Sequence, residues 1–436
     1  MPKQLSAVLS PFLKEFNSES IVQLFNEIDT DANLVDFNSE AASTFSTLAT
    51  SIVTQIASQI EDDEKRAQNL SSFTSLLRLT KKLSAKAPDS VVEGFLANSN
   101  HTFVSFCEET IALCLTNLKH AVDSLEIVSV FVDVSLLVLE LLVALAVNRS
   151  AKVVISNVFF PALLDLSINS FSSIEPSSDS DLFSFRHMIS FLKQRLVELI
   201  TVLVSGCAPA RSKLIDWGVL NVKSLLSTLR TAPTFLHQAF IIELVLRAVI
   251  KKKDKFLSDA DLNDIGLSTD NIEQLALVKS QSDMRRFLND WNSSQGHKRK
   301  IFSFEIDQVS LDEAKLGAAF VDFGTFSFSL SSVTHESFEG QEKNLSISYE
   351  NIRSLQISYR NNLIRISTQK KLSEDCLLYS AGNCTMFDTF YVPDENIEIV
   401  FKNVEELSLF KNAVGPVITS NQSKELLFYQ SIHYFL

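Results

Sequence analysis

Seven histidines and one short acidic run are the residues of this 436-residue chain whose types suggest catalysis or metal binding. The histidines are scattered, and none stands beside a cysteine at a spacing that zinc sites use. The segment HESFE, residues 335–339, lacks the second histidine of a helical zinc-protease motif. The sequence also contains no glycine-rich phosphate loop and no nucleophile-elbow motif. We therefore expect a protein that is not an enzyme and that uses no cofactor.

The acidic run DADLNDIGLSTD, residues 259–270, has oxygen-bearing side chains at its first, third and fifth positions, as a calcium loop does. A calcium loop also needs glycine at its sixth position and glutamate at its twelfth, where this chain has Asp264 and Asp270. We expect no metal ion here. The run instead predicts an acidic loop in which Ser268 or Asp270 caps the next helix.

Positive charge is concentrated in one stretch of an acidic chain. The whole chain has 39 Lys and Arg against 52 Asp and Glu, a net charge of −13, whereas residues 247–300 contain 11 cations against 8 acids, a net charge of +3. Clustered cations contact phosphorylated side chains, acidic segments or DNA phosphates, and a short exposed cluster also serves in nuclear import. The alternative is a solvated helix end followed by a linker. The predicted partner-binding residues are Lys251, Lys252, Lys253, Lys255, Arg285, Arg286, Lys298, Arg299 and Lys300.

The elements that must position these residues begin with a long helical region. Apolar residues recur at helical spacing up to about residue 290, for example at Leu192, Leu196 and Leu199. Breaks are predicted at the polar run 172–181 and at five prolines. These are Pro88, Pro161, Pro176, Pro209 and Pro233.

The most apolar stretch, Leu125 to Val147, is long enough to raise the question of a membrane span. It carries Glu126, Asp133 and Glu140 seven residues apart, along one stripe of a helix. Because carboxylates are costly in hydrocarbon, we expect a central helix of a stacked array and no membrane contact.

One segment of the helical region, residues 211–250, resembles an armadillo or HEAT unit. A short helix would end at Gly218, and two longer helices would stack behind it. Stacked helix pairs of this kind leave a concave surface that binds partners. The alternative is a generic helical bundle.

The periodicity changes to two beyond residues 293–300. Alternating apolar residues predict strands around 302–306, 326–330, 345–349, 352–359, 363–368, 387–392 and 397–401. Asn361 and Asn362 predict a tight hairpin turn, and residues 404–414 predict a closing helix. Antiparallel strands followed by one amphipathic helix are typical of a pleckstrin-homology domain, with a small barrel or sandwich as the alternative. The hairpin 323–341 contains no Lys or Arg, so we expect no binding of lipid headgroups.

The fold class that follows is α+β and multidomain. We predict an armadillo-like helical domain at 1–292, a basic linker at 293–300 and a pleckstrin-homology-like β domain at 301–436. Five cysteines without a CxxC pair favour a reducing compartment, the cytosol or the nucleus. The apolar final residues, 426–436, suggest a piece of a longer protein.

In domain order, in the armadillo-like segment 211–250 and in the strand pattern 301–414, the chain resembles the N-terminal region of meiotic chromosome-axis core proteins. These are the axial-element and fission-yeast linear-element scaffolds of the synaptonemal complex. The resemblance implies a nuclear, chromosome-associated scaffold without enzymatic activity. It implies docking on cohesin and chromatin, with a phosphorylated cohesin subunit and recombination-initiation proteins as partners.

The resemblance further implies that self-association uses regions outside this chain. From the basic stretch we expect only weak direct contact with DNA. No functional residue is carried over, because no short motif aligns. The alternative function is that of a cytoplasmic adaptor in which helical repeats and a pleckstrin-homology domain serve signalling.

Overall fold

A computed structural model of the chain describes somewhat more than half of its residues. The residues described are 47, 51, 107, 110–111, 125–146, 148–168, 182–216, 219–248, 267–268, 270–271, 273–274, 280–296, 300–311, 314–317, 320–333, 343–368, 377–379 and 396–421. Their contacts divide into two compact units. We call the described residues up to 216 the helical unit, and those at 219–246 and from 267 onward the mixed unit.

The helical unit contains four helices beyond residue 124. These are α1 (Leu125–Leu145), α2 (Arg149–Ile168), α3 (Leu182–Val204) and α4 (Ala208–Asp216). Both α1 and α2 pack against α3, whose buried face includes Leu192, Leu196 and Leu199, as the helical spacing predicted. The turn after α3 requires Gly206, which has a φ of 68°.

Two helix boundaries show which local signals decide them. The side-chain oxygen of Asn148 accepts a hydrogen bond of 2.8 Å from the backbone N–H of Ser150, which caps α2. Pro161 was expected to interrupt the helical pattern, but it lies inside α2. The break predicted there is wrong, because the surrounding apolar residues Phe159, Phe160 and Leu163 are buried and packing outweighs the lost backbone hydrogen bond.

The acidic stripe predicted on α1 lies at side chains that the structure does not describe. The helix itself spans the expected residues, Leu125–Leu145. Within the described part of the chain, no helix combines the length and the apolar character that crossing a bilayer requires.

The mixed unit begins with helices and continues into a sheet. The helices before the sheet include α5 (Val219–Ser227), α6 (Phe235–Ala248, of which the residues to Leu246 belong here) and α7 (Gln281–Ser294). The strands are β1 (Phe302–Leu311), β2 (Ala314–Leu316), β3 (Phe320–Phe323), β4 (Ser327–Val333), β5 (Lys343–Ser348), β6 (Ile352–Ser358), β7 (Leu363–Thr368), β8 (Leu377–Tyr379) and β9 (Asn396–Phe401).

The strands form an open antiparallel sheet. Their order is β6-β7-β9-β1-β3-β4-β5-β8, with β2 paired to β1. The hairpin between β6 and β7 turns at Asn361 and Asn362, as predicted, and Asn362 adopts a φ of 50°. The strand expected at 387–392 lies outside the described residues.

A terminal helical segment covers one end of the sheet's core. It consists of α8 (Val404–Leu409), a π-helical turn (Phe410–Val414) and α9 (Gly415–Asn421). Phe410 lies with its ring centroid 4.9 Å from that of Phe323 and 5.6 Å from that of Phe401. Phe304 packs edge-on against Phe401 at 5.3 Å. This cluster of phenylalanine rings explains why the closing helix predicted at 404–414 forms where it does.

The α+β class and the order of helices before strands are therefore confirmed. The helices predicted in residues 211–250 are present as α4, α5 and α6, but the boundary between the two compact units falls inside that segment, at Gly218. The armadillo and pleckstrin-homology assignments stay predictions, as do the domain bounds 1–292, 293–300 and 301–436.

Candidate partner-binding surface

Six of the nine predicted cations lie outside the described residues. These are Lys251, Lys252, Lys253, Lys255, Lys298 and Arg299. The structure places the other three, Arg285, Arg286 and Lys300, on or just beyond α7. Arg286 and Lys300 are exposed, whereas Arg285 is buried, so neighbours in the sequence have opposite environments.

Helix α7 is defined by its own sequence. The hydroxyl oxygen of Ser280 accepts a hydrogen bond from the backbone N–H of Asp283, and the carboxylate of Asp283 accepts one from the backbone N–H of Ser280, both at 3.1 Å. This reciprocal capping box fixes where the helix begins. Its apolar side, which includes Phe287, Leu288 and Trp291, is buried.

The guanidinium of Arg285 makes a bidentate ion pair with Asp322 of β3. Its Nη1 lies 2.6 Å from Oδ1 of the carboxylate, and its Nη2 lies 3.0 Å from Oδ2. Nη1 also donates to the hydroxyl of Ser303 at 2.7 Å, and the hydroxyl of Ser331 donates to Asp322 Oδ2 at 2.8 Å. The pair is thus satisfied by hydrogen bonds as well as by charge, as a buried ion pair must be if it is not to destabilise the fold.

Two aromatic rings complete the surroundings of Arg285. The guanidinium carbon lies 4.6 Å from the ring centroid of Phe235 and 4.2 Å from that of Phe320. Both distances are within the range of a cation–π interaction, which is stronger away from water. Arg285 therefore ties α7 to α6 and to β3, all within the mixed unit, and it presents no charge to an external partner.

A row of small polar residues on the sheet makes this packing possible. Ser303, Asp322 and Ser329 are direct neighbours across β1, β3 and β4, and all three are buried. They lie on the opposite side of the strands from Phe304 and Phe323, because side chains alternate along a strand. The sheet is therefore covered on both sides here, by the phenylalanine cluster on one and by α7 on the other.

Sequence analysis identified Arg285 but missed its partner. A signal was present in the strands themselves, whose residues 303, 322, 329 and 331 are serines and one aspartate rather than lysines and glutamates. Small polar residues allow a helix to approach, whereas an exposed sheet side usually carries long charged side chains. The pairing with residue 285 has no sequence signal of its own.

Two further contacts hold the helices of the mixed unit in place. Gln238 of α6 and Asn292 of α7 exchange hydrogen bonds between their buried amides, at 3.1 Å and 2.8 Å. In the turn between β3 and β4, the backbone N–H of Thr325 donates to the carbonyl of Pro233 at 2.8 Å. The hydroxyl of Tyr349 donates to the carbonyl of Gly324 at 2.9 Å, and burial raises the pKa of this phenol, so it stays protonated as a donor.

The exposed cations have the chemistry of anion contacts. Arg286 has a side chain that is 74% exposed, and its Nη2 lies 2.8 Å from Oδ1 of Asp283. An exposed pair of this kind contributes little to stability, so the guanidinium can exchange its partner for an external carboxylate or phosphate at small cost. Lys300 is exposed two residues before β1.

The described residues contain no group of His, Cys, Asp and Glu side chains with the proximity that a metal ion needs. His237 is buried in α6, while the segments 335–339 and 259–266 lie outside the described part of the chain. The capping role expected in the acidic run is seen at Ser268, whose hydroxyl oxygen accepts from the backbone N–H of Asn271 at 3.1 Å.

Comparison with known proteins does not identify a family for this chain. No protein-family model matches the chain, and no curated protein matches it. A solved structure described as "Synaptonemal complex protein" superimposes with a TM-score of 0.49 and 12% sequence identity, covering 87% of this chain and 88% of that one. At this level of similarity no property of that protein is assigned to this chain.

Proposed function

We propose that this chain is a non-enzymatic scaffold of the meiotic chromosome axis. The observation that carries the proposal is the order of elements along the chain, with helices up to residue 294, then an antiparallel sheet from 302 to 401, and then a closing helical segment. That order is the basis of the resemblance to chromosome-axis core proteins. The role is to dock on cohesin-bound chromatin in the nucleus and to recruit recombination-initiation proteins.

The interior of the mixed unit supports a binding role. Its buried polar groups contact each other: Arg285 with Asp322, and Gln238 with Asn292. These groups hold helices on a sheet and thereby give the unit a fixed surface. A scaffold needs such a surface, since rigid binding sites lose less entropy when a partner docks.

The basic stretch 247–300 is the part of this scaffold that we assign to partner contacts. Arg286 and Lys300 are exposed there, and Lys251, Lys252, Lys253 and Lys255 add cations in the same stretch. We assign to them an acidic or phosphorylated segment of a cohesin subunit, with direct DNA contact as a minor component.

The experiment that tests the proposed role is localisation of the full chain, tagged at its endogenous locus, during meiotic prophase. We expect linear chromosomal signals that overlap cohesin and that disappear when cohesin is depleted. A signal that stays in the cytoplasm would contradict the proposal and favour the signalling adaptor. Loss of the chain should also reduce the number of recombination-initiating DNA breaks.

The basic stretch is tested separately. Replacing Lys251, Lys252, Lys253 and Lys255 with glutamate should weaken binding to immobilised cohesin complexes and flatten its dependence on salt, because fewer ion contacts form. The control replaces the exposed Arg149 and Lys213 of the helical unit with glutamate. An unchanged affinity and salt slope in the first variant would remove the basic stretch from the proposal while leaving the scaffold role open.

A further inference from the structure

Strand β6 lies at an edge of the sheet. Among the described residues it pairs with β7 alone, through the register that joins Ser358 to Leu363 and Leu355 to Ile366. Every second backbone N–H and C=O group of an edge strand points away from its neighbour and is able to pair with another chain. The strand is seven residues long, and its regular pairing with β7 covers Ser354–Ser358, after an irregularity at Arg353. It therefore offers room for a partner strand of about five residues.

The terminal helical segment contacts residues that flank this edge strand at both ends. The ammonium nitrogen of Lys411 lies 5.3 Å from the ring centroid of Tyr359, just beyond the C-terminal end of β6. At the other end of the strand, α9 packs against the short 3₁₀ turn Tyr349–Asn351, which immediately precedes β6. The helical segment therefore lies close to both ends of the β6 edge.

Two exposed cations flank this edge. Arg353, near the start of β6, and Arg360, just after its end, are both exposed. Neither makes an ion pair or hydrogen bond with another residue that the structure describes, in contrast to Arg365 of β7, whose Nε lies 2.7 Å from Oε1 of Glu398. In a chain with a net charge of −13, an edge flanked by cations is a local exception.

We propose that the β6 edge binds an extended acidic segment of a protein partner, which adds to the sheet as a further strand. Backbone hydrogen bonds to β6 supply the docking geometry, and Arg353 and Arg360 select for carboxylates or phosphates on the incoming segment. This surface is distinct from the basic stretch 247–300, and the inference does not depend on the chromosomal role proposed above.

A second copy of this chain is a poorer occupant of the same edge. Pairing of two β6 strands would bring together two edges that each carry Arg353 and Arg360. In the registers that place these cations opposite each other, like charges destabilise the strand pair. Edge cations of this kind are one way in which proteins prevent pairing between identical edges.

The test uses the full chain and a synthetic probe. The probe is a fluorescently labelled peptide in which valine and glutamate alternate five times, with blocked termini, because alternation favours an extended strand and supplies acidic side chains. Fluorescence anisotropy should show saturable binding that weakens as salt is added. The same peptide with lysine in place of glutamate should not bind. Absence of saturable binding by the glutamate peptide would overturn the proposal.

Backbone pairing is tested by two further probes of identical composition. In one the valine nitrogens are methylated, and in the other the glutamate nitrogens are methylated. Because only alternate N–H groups of an added strand face its neighbour, one of the two peptides should lose binding and the other should retain it. Equal effects of the two methylation patterns would contradict addition to a strand edge.

The position of the site is tested by charge reversal. Arg353→Glu combined with Arg360→Glu should weaken binding of the glutamate peptide by roughly tenfold or more, since attraction is replaced by repulsion at two points. The matched control, Arg149→Glu combined with Lys213→Glu, makes the same change in net charge in the helical unit and should leave binding unchanged. A similar loss in both variants would attribute binding to net charge alone.

Sedimentation of the full chain tests whether a second copy of the chain occupies the β6 edge. The wild-type chain and the Arg353→Glu, Arg360→Glu variant should have the same distribution of oligomers across a range of concentrations. If the variant changes self-association, the edge serves a second copy of the chain, and the proposed acidic partner is wrong.

Discussion

The helical unit and the mixed unit each bury one arginine–carboxylate pair, and the two pairs are built differently. Arg195 and Glu198 lie one turn apart on α3, with side chains only 1% and 2% exposed. Arg285 and Asp322 are similarly buried but are 37 residues apart in the chain and lie on a helix and a strand. The first pair is formed by a single helix, whereas the second exists only when α7 has docked on the sheet.

This difference separates local from long-range stabilisation. A pair at i and i+3 is brought together by helical geometry alone, so part of its interaction survives wherever that helix forms. The Arg285–Asp322 pair closes a long segment of chain, and it also organises Ser303, Ser331 and two aromatic rings. Disruption of the two pairs should therefore differ in the loss of stability that it causes and in how far the effect spreads through the structure.

The largest effect is expected from Asp322→Ala. Removing the carboxylate leaves the guanidinium of Arg285 buried without its counter-charge, which costs about 4 kcal/mol in free energy of unfolding. Hydrogen exchange should accelerate in α7, β1, β3 and β4 together, because all of them meet at this pair. Denaturant unfolding of the full chain measures the first effect, and exchange followed by mass spectrometry measures the second.

The control for this variant is Asp290→Ala, which removes an exposed carboxylate from α7, the helix that carries Arg285. It should change stability by less than about 0.5 kcal/mol. If Asp322→Ala were as mild as this control, the buried pair would not be what holds α7 on the sheet.

The next largest effect is expected from Gly324→Ala, which tests the other long-range contact of the mixed unit. A Cβ atom at position 324 would lie 2.2 Å from the backbone oxygen of Pro233, a buried residue that cannot easily move. The turn must shift away, and the hydrogen bond from Thr325 to Pro233 is lost, so we expect a loss of about 3 kcal/mol.

Gly415→Ala provides a matched control of opposite sign. Its Cβ would meet no atom closer than 4.0 Å, and alanine favours a helix over glycine. We expect it to stabilise the chain by up to about 1 kcal/mol. A loss in Gly324→Ala no greater than that of an ordinary surface substitution would show that the turn is free to relax.

A smaller and more local effect is expected from Glu198→Gln in the helical unit. The amide oxygen of glutamine still accepts a hydrogen bond from Arg195, so only the counter-charge is removed, and we expect a loss of about 2 kcal/mol. Faster hydrogen exchange should be confined to α3 and the helices that pack on it. The comparison fails if this variant also accelerates exchange in β1 and β3 while Asp322→Ala does not. Asp216→Asn, at an exposed position of α4, serves as the control.

The two pairs also show what sequence patterns can and cannot predict. Helical periodicity predicted α3 and its buried face. Arg195 and Glu198 are neighbours on any helix because they are three residues apart. The alternation of phenylalanine with serine predicted β1 and β4, and the paired asparagines predicted the turn at 361–362. These features succeed because each depends on residues that are close in the sequence.

The candidate binding residues depended on longer-range information. Arg285 and Arg286 are adjacent and equally basic in the sequence, yet one is inside the mixed unit and the other is on its surface. Their burial differs because successive side chains on a helix point about 100° apart, and only that of Arg285 faces β3. The cations Lys251, Lys252, Lys253, Lys255, Lys298 and Arg299 stay predictions, and the edge cations Arg353 and Arg360 were missed because strand order is not visible in one sequence.

The smallest effect is expected at Glu406, a partly buried residue of α8 in the mixed unit that lies near the charges of Glu305 and Lys402. Partial burial raises the pKa of Glu406 above its ordinary value of 4.5, and repulsion from Glu305 raises it further. An acid whose pKa is raised on folding favours the protonated form, so its charge opposes folding as pH rises through that pKa. Glu406→Gln should therefore raise Tm slightly at pH 7.5, by an amount that corresponds to about a few tenths of a kcal/mol, because the side chain is only partly buried and water screens its charge. The gain should vanish below about pH 4.5, where the wild-type carboxyl is already neutral.

Thermal unfolding of both proteins across this pH range measures the gain, with Glu405→Gln, an exposed neighbour, as the control. An equal gain in the control, or a gain that persists in acid, would show that the charge of Glu406 is not the cause.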